Sequence, residues 1–433
     1  MSITTELKGR HQAAVAQGVT SRGMYAERAE NAELWDAEGR RFIDFAAGIA
    51  VNNTGHRHPK LLAAVKEQLE KFTHTCFQVS PYEGYIALAE KLNAATPGNF
   101  AKKTMLVTTG AEAVENAVKM ARAYTGRSGI IAFSGAFHGR TLMGMALCGK
   151  VFPYKKQFGA MPPEVFHAPF PNEFMGVSVD DSINALEMLF SASIDPERVA
   201  AFIIEPVQGE GGFNVAPTEF LQKLRALADK HSIVLIADEV QSGIARTGKM
   251  FAMEYSGVSA DLVTMAKGLA GGFPLSAVTG RAEIVDAAPV GGIGGTYAGN
   301  PLAVAAAEAV LEVVEEEQLC ERSEKIGSQI KTRLKDIAAR PGMEMIGDVR
   351  GLGSMVAFEL VQPGTKEANA ELTQAIIADA ETNGLIILPC GTRGNVIRLL
   401  PPLTTPMDQV VEALDILEAS IANVVEMSIH KAA

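Results

Sequence analysis

The sequence predicts an α/β protein: a large domain on a mostly parallel mixed sheet flanked by helices, plus a smaller α+β domain. Three observations carry this. First, "VAAFIIEPV" (199–207) and "SIVLIADEV" (232–240) hold unbroken apolar runs, the pattern of strands covered on both faces rather than one. Second, the amphipathic stretch "TEFLQKLRALADKH" lies between them, and a strand, helix and strand in succession make a parallel pair. Third, near residue 310 the texture changes to a long charged helical stretch followed by short strands, which marks a second unit.

The elements follow in order. Residues 33–51, "ELWDAEGRRFIDFAAGIAV", read as two short strands around the turn "DAEG", then a glycine-containing apolar stretch. "HPKLLAAVKEQLEKF" is a helix with Pro59 near its start, "KTMLVTT" a strand, and "GAEAVENAVKMARAYTG" a helix closed by Gly126. "GIIAFSGAFHG" is a strand running into a loop, and "ADLVTMAK" is a further strand. One long helix is expected over "VLEVVEEEQLCERSEKIGSQIKTRLKDIAAR". Beyond it, strands "GSMVAFELV", "GLIILPC" and "NVIRLLPPL" alternate with helices "ANAELTQAIIADAETN" and "MDQVVEALDILEASIANVVEM". The expected division is 1–60 as an N-terminal segment joining the small domain, 61–320 as the large domain, and 321–433 as the C-terminal small domain.

Composition excludes several function classes. A net charge of −11 without a basic cluster argues against nucleic acid or an anionic membrane as partner. The N-terminal stretch has no signal-peptide core, and no segment reaches the ~20 apolar residues that span a bilayer. A cytoplasmic location is therefore expected. Cys76, Cys148, Cys320 and Cys390 form no CxxC pair, so they are expected as buried small apolar groups. His56 and His58 in "GHRHP" lack a third ligand, and no metal is expected.

The chemistry gathers at three places. "VTTG" (107–110) puts a glycine between strand and helix N-terminus, where free amides and the positive dipole end suit a phosphate. Alone, a glycine there is better explained by a tight turn. Asp238 closes an apolar strand, and ligands bind beyond the carboxyl ends of such strands. Lys267 follows another apolar run, directly before "GLAGG". Alone it would be a snorkelling surface lysine; with the other two it reads as an amine of lowered pKa that can form a Schiff base. The three together describe a pyridoxal phosphate (PLP) site, in which the carboxylate keeps the pyridine nitrogen protonated and the lysine holds the aldehyde as an imine.

"NTGHRHP", "TTGAEAVENAVK", "FSGAFHGRT", "IIEPVQGEGGF", "LIADEVQSGIARTG", "AKGLAGGFPL" and "GTYAGNPLA" resemble, in this order and over nearly the whole length, the class III (ω-amino acid) aminotransferases of PLP fold type I. The likeness is greatest to the bacterial members acting on 4-aminobutyrate. The resemblance implies roles. Lys267 is the catalytic Schiff-base lysine and proton carrier; Asp238 pairs with the pyridinium, and Gln241 with the ring hydroxyl. Val240 packs beneath the ring, Phe137 stacks above it, and His138 forms part of the wall. Gly110 and Ala111 offer amides to the phosphate, and Glu205 orients the site. Thr296 reaches the phosphate bound by the other subunit, which implies a homodimer with shared active sites, or a pair of such dimers. Ala111 stands where the family often has serine and Phe137 where tyrosine is common, so two hydroxyl contacts are lost.

For the substrates, arginine forks suit carboxylates. The resemblance gives Arg140 the carboxylate common to both substrates and Arg398 the second carboxylate of 2-oxoglutarate. Glu210 would pair with Arg398 while a monocarboxylate is bound and swing away for the dicarboxylate, with Gly209 and Gly211 giving the loop its freedom. Ile49 would form an apolar wall. The implied reaction is ping-pong transfer of the ω-amino group of 4-aminobutyrate to 2-oxoglutarate, giving succinic semialdehyde and glutamate. The alternatives are 5-aminovalerate, ornithine, acetylornithine or β-alanine as the amine, or a PLP racemase or aminomutase.

Overall fold

A computed structural model describes residues 2–432. Its main sheet has seven strands, in spatial order Lys102–Val107, Ser276–Arg281, Leu262–Met265, Val234–Asp238, Val199–Ile204, Gly129–Phe133 and Val165–Ala168. Ser276–Arg281 runs antiparallel to both its neighbours, while the remaining pairs are parallel. The sheet is thus mixed but mostly parallel, as expected.

The two unbroken apolar runs are explained by where their alternate residues go. Phe202, Ile204, Leu235 and Ala237 enter one core with Phe220, Leu221 and Leu224 of the helix Thr218–His231. Ala201, Ile203, Val234 and Ile236 enter another with Val114, Ala117 and Val118 of the helix Gly110–Thr125. Successive strand side chains point to opposite faces, so both faces being covered demands apolar residues at every position. The register Ile236↔Leu262, Ala237↔Val263, Asp238↔Thr264 then carries Asp238 to the strand end.

Two further four-stranded sheets lie outside this frame. One has the order Ala26–Glu30, Glu33–Asp36, Arg41–Asp44, Leu385–Ile386; the other has Ile346–Leu352, Met355–Leu360, Val396–Leu399, Leu388–Cys390. The stretch "GLIILPC" is therefore not one strand. Leu385–Ile386 pairs in parallel with Ile43–Asp44, and Leu388–Cys390 pairs antiparallel with Val396–Arg398, with the chain changing sheets at Ile387. Nor is the charged stretch one helix. It divides into Pro301–Glu316 and Leu319–Ala338 at Gln318, whose φ of 52° is left-handed. The turn lets Val313 and Leu319 both reach the core. Cys148 and Cys390 are buried as expected, but Cys76 and Cys320 are only half-buried, and all four are free. Among the described residues no helix is long and apolar enough to cross a membrane.

Arg246 joins the separate parts. Fully buried, it donates from Nη1 to the carbonyl of Pro401 at 2.6 Å and to Ser354 Oγ at 3.1 Å, and from Nη2 to Asn53 Oδ1 at 2.6 Å. Burial pulls its pKa down to about 9. Replacing it by alanine leaves the Pro401 carbonyl and Asn53 Oδ1 without this donor. The expected loss of stability is about 3–5 kcal/mol, read from urea unfolding.

Candidate active site

A cavity of about 540 Å³ opens at the carboxyl ends of the parallel strands, where α/β sheets bind ligands. Asp238 is buried in its floor. Thr264 Oγ1 donates to Asp238 Oδ1 at 3.0 Å, the backbone N–H of Val240 donates to the same oxygen at 3.2 Å, and His138 Nδ1 lies 2.7 Å from Oδ2. Three groups from three segments thus fix the carboxylate. Thr264 could be read as a strand residue, but its partnership with Asp238 follows from sheet register.

Lys267 follows the strand Leu262–Met265 in a left-handed conformation, φ 43°. Its neighbours leave little room: a Cβ on Gly268 would come within 2.3 Å of the Asn53 amide nitrogen. Burial, only partly offset by Glu210, lowers the pKa of the Lys267 ammonium from 10.5 to about 8. Because the neutral amine is the nucleophile, acetylation of Lys267 by a small anhydride in cofactor-free protein should reach its half-maximal rate near pH 8. Peptide mass spectrometry across a pH series measures this; a midpoint near 10.5 would refute it.

The helix Gly110–Thr125 begins with a capping box. Thr109 Oγ1 accepts from the amide of Glu112 at 3.3 Å, and the Glu112 carboxylate accepts from the amides of Thr109 and Thr108 at 2.8 and 3.1 Å. Those amides are thereby used internally. Gly110 and Ala111, at the positive end of the helix dipole, line the cavity. Gly110 must stay small, since a Cβ there would lie 2.9 Å from Val240 Cγ1.

Glu205 ties two loops together, accepting from the amides of Phe137 and Gly209 at 2.8 Å each. Burial pushes its pKa up to about 7. One loop carries Phe137 and His138, the other Glu210. Gln241 and Val240 also line the cavity, as do Phe137 and Arg140. Arg398 comes from the strand Val396–Leu399 and is buried; its Nη1 lies 2.5 Å from Glu210 Oε1. Burial raises the Glu210 pKa, but the Arg398 guanidinium more than offsets this and holds it below the usual carboxylate range. For Arg398 burial opposes the charge and Glu210 restores it, so the net shift is upward. Glu210 lines the cavity and Arg398 does not, so the carboxylate stands between the cavity and the arginine.

Two expected residues lie elsewhere. Ile49 is 42% exposed and does not line the cavity, whereas Val51 does. Positive φ at Ala47, Gly48, Ile49 and Ala50 turns this segment in a way that apolar periodicity does not reveal. Thr296 is exposed and also lies outside the cavity lining of its own chain. His56 and His58 pair with Asp44 and Glu317, each at 2.9 Å. Tyr154, unanticipated from sequence, sits at the site: its ring centroid is 4.8 Å from that of Phe137, and its hydroxyl donates to Glu210 Oε2 at 3.3 Å.

The donor set fits PLP. His138 Nε2 and Gln241 Oε1 are buried without a hydrogen-bond partner, and buried polar atoms of this kind call for a ligand or water. A helix N-terminus for phosphate, a fixed carboxylate and a lysine of lowered pKa complete the set.

The family model "Aminotransferase class-III" matches residues 14–421. The chain is 57% identical over 420 residues to the 5-aminovalerate aminotransferase DavT of Pseudomonas aeruginosa, covering 96% of this chain and 98% of that protein. It is 54% identical over 419 residues to the 4-aminobutyrate aminotransferase GabT of Escherichia coli, with the same coverages of 96% and 98%. Among solved structures it is similar to an aminotransferase from Bacillus anthracis, at TM-score 0.90 and 28% identity over 98% of this chain and 100% of that one. It is also similar to a PLP-bound amine transaminase from an uncultivated Pseudomonas species, at TM-score 0.85 and 29% identity over 95% and 97%. With its mixed sheet, its strand-end carboxylate and its lysine before a glycine-rich turn, the chain belongs to the class III aminotransferases, enzymes that use PLP.

Proposed function

We propose that the enzyme moves the ω-amino group of 4-aminobutyrate to 2-oxoglutarate in a ping-pong reaction, giving succinic semialdehyde and then glutamate. The observation that carries this is the ion pair between the buried Arg398 and the half-buried Glu210, whose carboxylate lines the cavity. An exchange between one and two carboxylates gives such a pair its purpose; a racemase or aminomutase has no use for it.

Bound PLP supplies an electron sink that makes the proton on the amine-bearing carbon acidic. Asp238, fixed by Thr264, Val240 and His138, would hold the ring nitrogen protonated. Lys267 Nζ, with a pKa of about 8, matches the range for taking and returning a proton near neutral pH. Arg140 at the cavity wall takes the carboxylate that both substrates share. With the amine bound, Glu210 neutralises Arg398, which would otherwise be an unpaired buried charge. With 2-oxoglutarate bound, Glu210 moves aside and Arg398 takes the second carboxylate.

Glu210→Ser tests this. It should slow the 4-aminobutyrate half-reaction at least tenfold more than the 2-oxoglutarate half-reaction, each read by stopped-flow absorbance. Equal damage to both halves would remove the exchange.

The strong likeness to DavT of Pseudomonas aeruginosa and of Pseudomonas putida favours 5-aminovalerate as a second reading. The two amines differ by one methylene, worth roughly 1–3 kcal/mol in a pocket. The ratio of their kcat/KM values decides between them. We further propose that the enzyme is cytoplasmic and acts as a homodimer, with Thr296 presented to the partner's phosphate site, and that residues 61–320 form the PLP-binding domain. The exposure of Thr296 outside its own cavity supports the shared site.

A further inference from the structure

Between Val151 and Ala160 the chain is mostly exposed, yet Tyr154 within it is only 9% exposed. This one ring turns inward, and it arrives between the groups proposed for the two carboxylates. On one side the Arg140 guanidinium lies 5.6 Å from its ring centroid, within cation–π range. On the other, its hydroxyl donates to Glu210 Oε2 while Arg398 holds Glu210 Oε1. Burial, then the Glu210 charge, raises the phenol pKa, so the hydroxyl stays a donor at physiological pH. Each oxygen of Glu210 therefore has its own partner, one cationic and one neutral.

We infer that Tyr154 is a specificity-determining residue: its hydroxyl holds Glu210 over Arg398 and so favours a monocarboxylate amine over a dicarboxylate. This rests on the Glu210 exchange proposed above. Packing against Phe137 accounts for the burial of the ring, but a phenylalanine would pack equally well. The hydroxyl's contact with the carboxylate is what packing leaves unexplained. It acts on one state only, since it is lost once Glu210 moves away. A ligand needing the other state is then disfavoured by the strength of that contact.

Tyr154→Phe keeps the ring and removes the hydroxyl. In the holoenzyme, the ratio of the single-turnover rate constant for 4-aminobutyrate to that for 2-oxoglutarate should fall about fivefold, the size of a long hydrogen bond to a charged group. The same ratio is measured for Glu210→Ser and for the double variant, where Tyr154→Phe should add nothing, because the two residues act as one unit. Tyr154→Leu removes the ring as well and should raise KM for both substrates by unsettling Arg140. If Glu210→Ser shifts the ratio but Tyr154→Phe leaves it unchanged or slows both halves equally, Tyr154 only packs; the inference fails and the exchange stands. If Glu210→Ser does not shift the ratio, the exchange itself falls and this inference with it.

Discussion

Lys267→Ala should abolish multiple turnover, a loss of about 10⁴-fold or more, because on the proposed assignment the variant removes both the covalent partner of the cofactor and the group that moves the proton. The fold should survive. The lysine is half-buried, and desolvation of its ammonium, which lowers its pKa to about 8, is an unfavourable contribution that alanine removes. Its left-handed φ of 43° is no worse for alanine than for lysine. Steady-state assays beside circular dichroism measure both; a folded variant that still turns over repeatedly would overturn the assignment.

Asp238→Asn should lower kcat by about 10²–10³-fold, comparable to deleting a preorganised electrostatic contact. Asparagine keeps the shape, and its oxygen can still accept from Thr264 and Val240. What it loses is the charge facing the cavity and the acceptor opposite His138 Nδ1. The thermal midpoint should therefore move far less than the rate. A kcat within tenfold of the parent enzyme would show that the carboxylate is not the group that polarises the cofactor.

How far the chain could be read from its residues depended on whether the constraint was local. Val199–Ile204 and Val234–Asp238 were legible because covering both faces of a strand leaves an uninterrupted apolar run. Lys267 was legible because crowding of the backbone leaves glycines beside it. Ser276–Arg281 was not, since serine, threonine and glycine give a short strand little apolar signal. Ile346–Leu352 carries Asp348 and Arg350 and hides as a loop. The break at Gln318 and the change of sheet at Ile387 are set by what each half packs against, which no local pattern records. Tyr154 lies in an exposed stretch of mixed polarity, "VFPYKKQFGA", and only tertiary contact makes it part of the site.

If Arg398 is the second-carboxylate site, its ion pair with Glu210 means that the enzyme carries its own competitor. Any dicarboxylate that needs Arg398 must displace a carboxylate tethered beside it, present at an effective concentration that dilution cannot lower. If the pair is closed 99% of the time, the apparent affinity for such a ligand is about a hundredfold weaker than that of the open site. Inhibitors with two carboxylates should accordingly bind more tightly to Glu210→Ser than to the parent enzyme, and under the proposed exchange the saturation level of the acceptor acid would depend on this internal rival as well as on the contacts the acid makes.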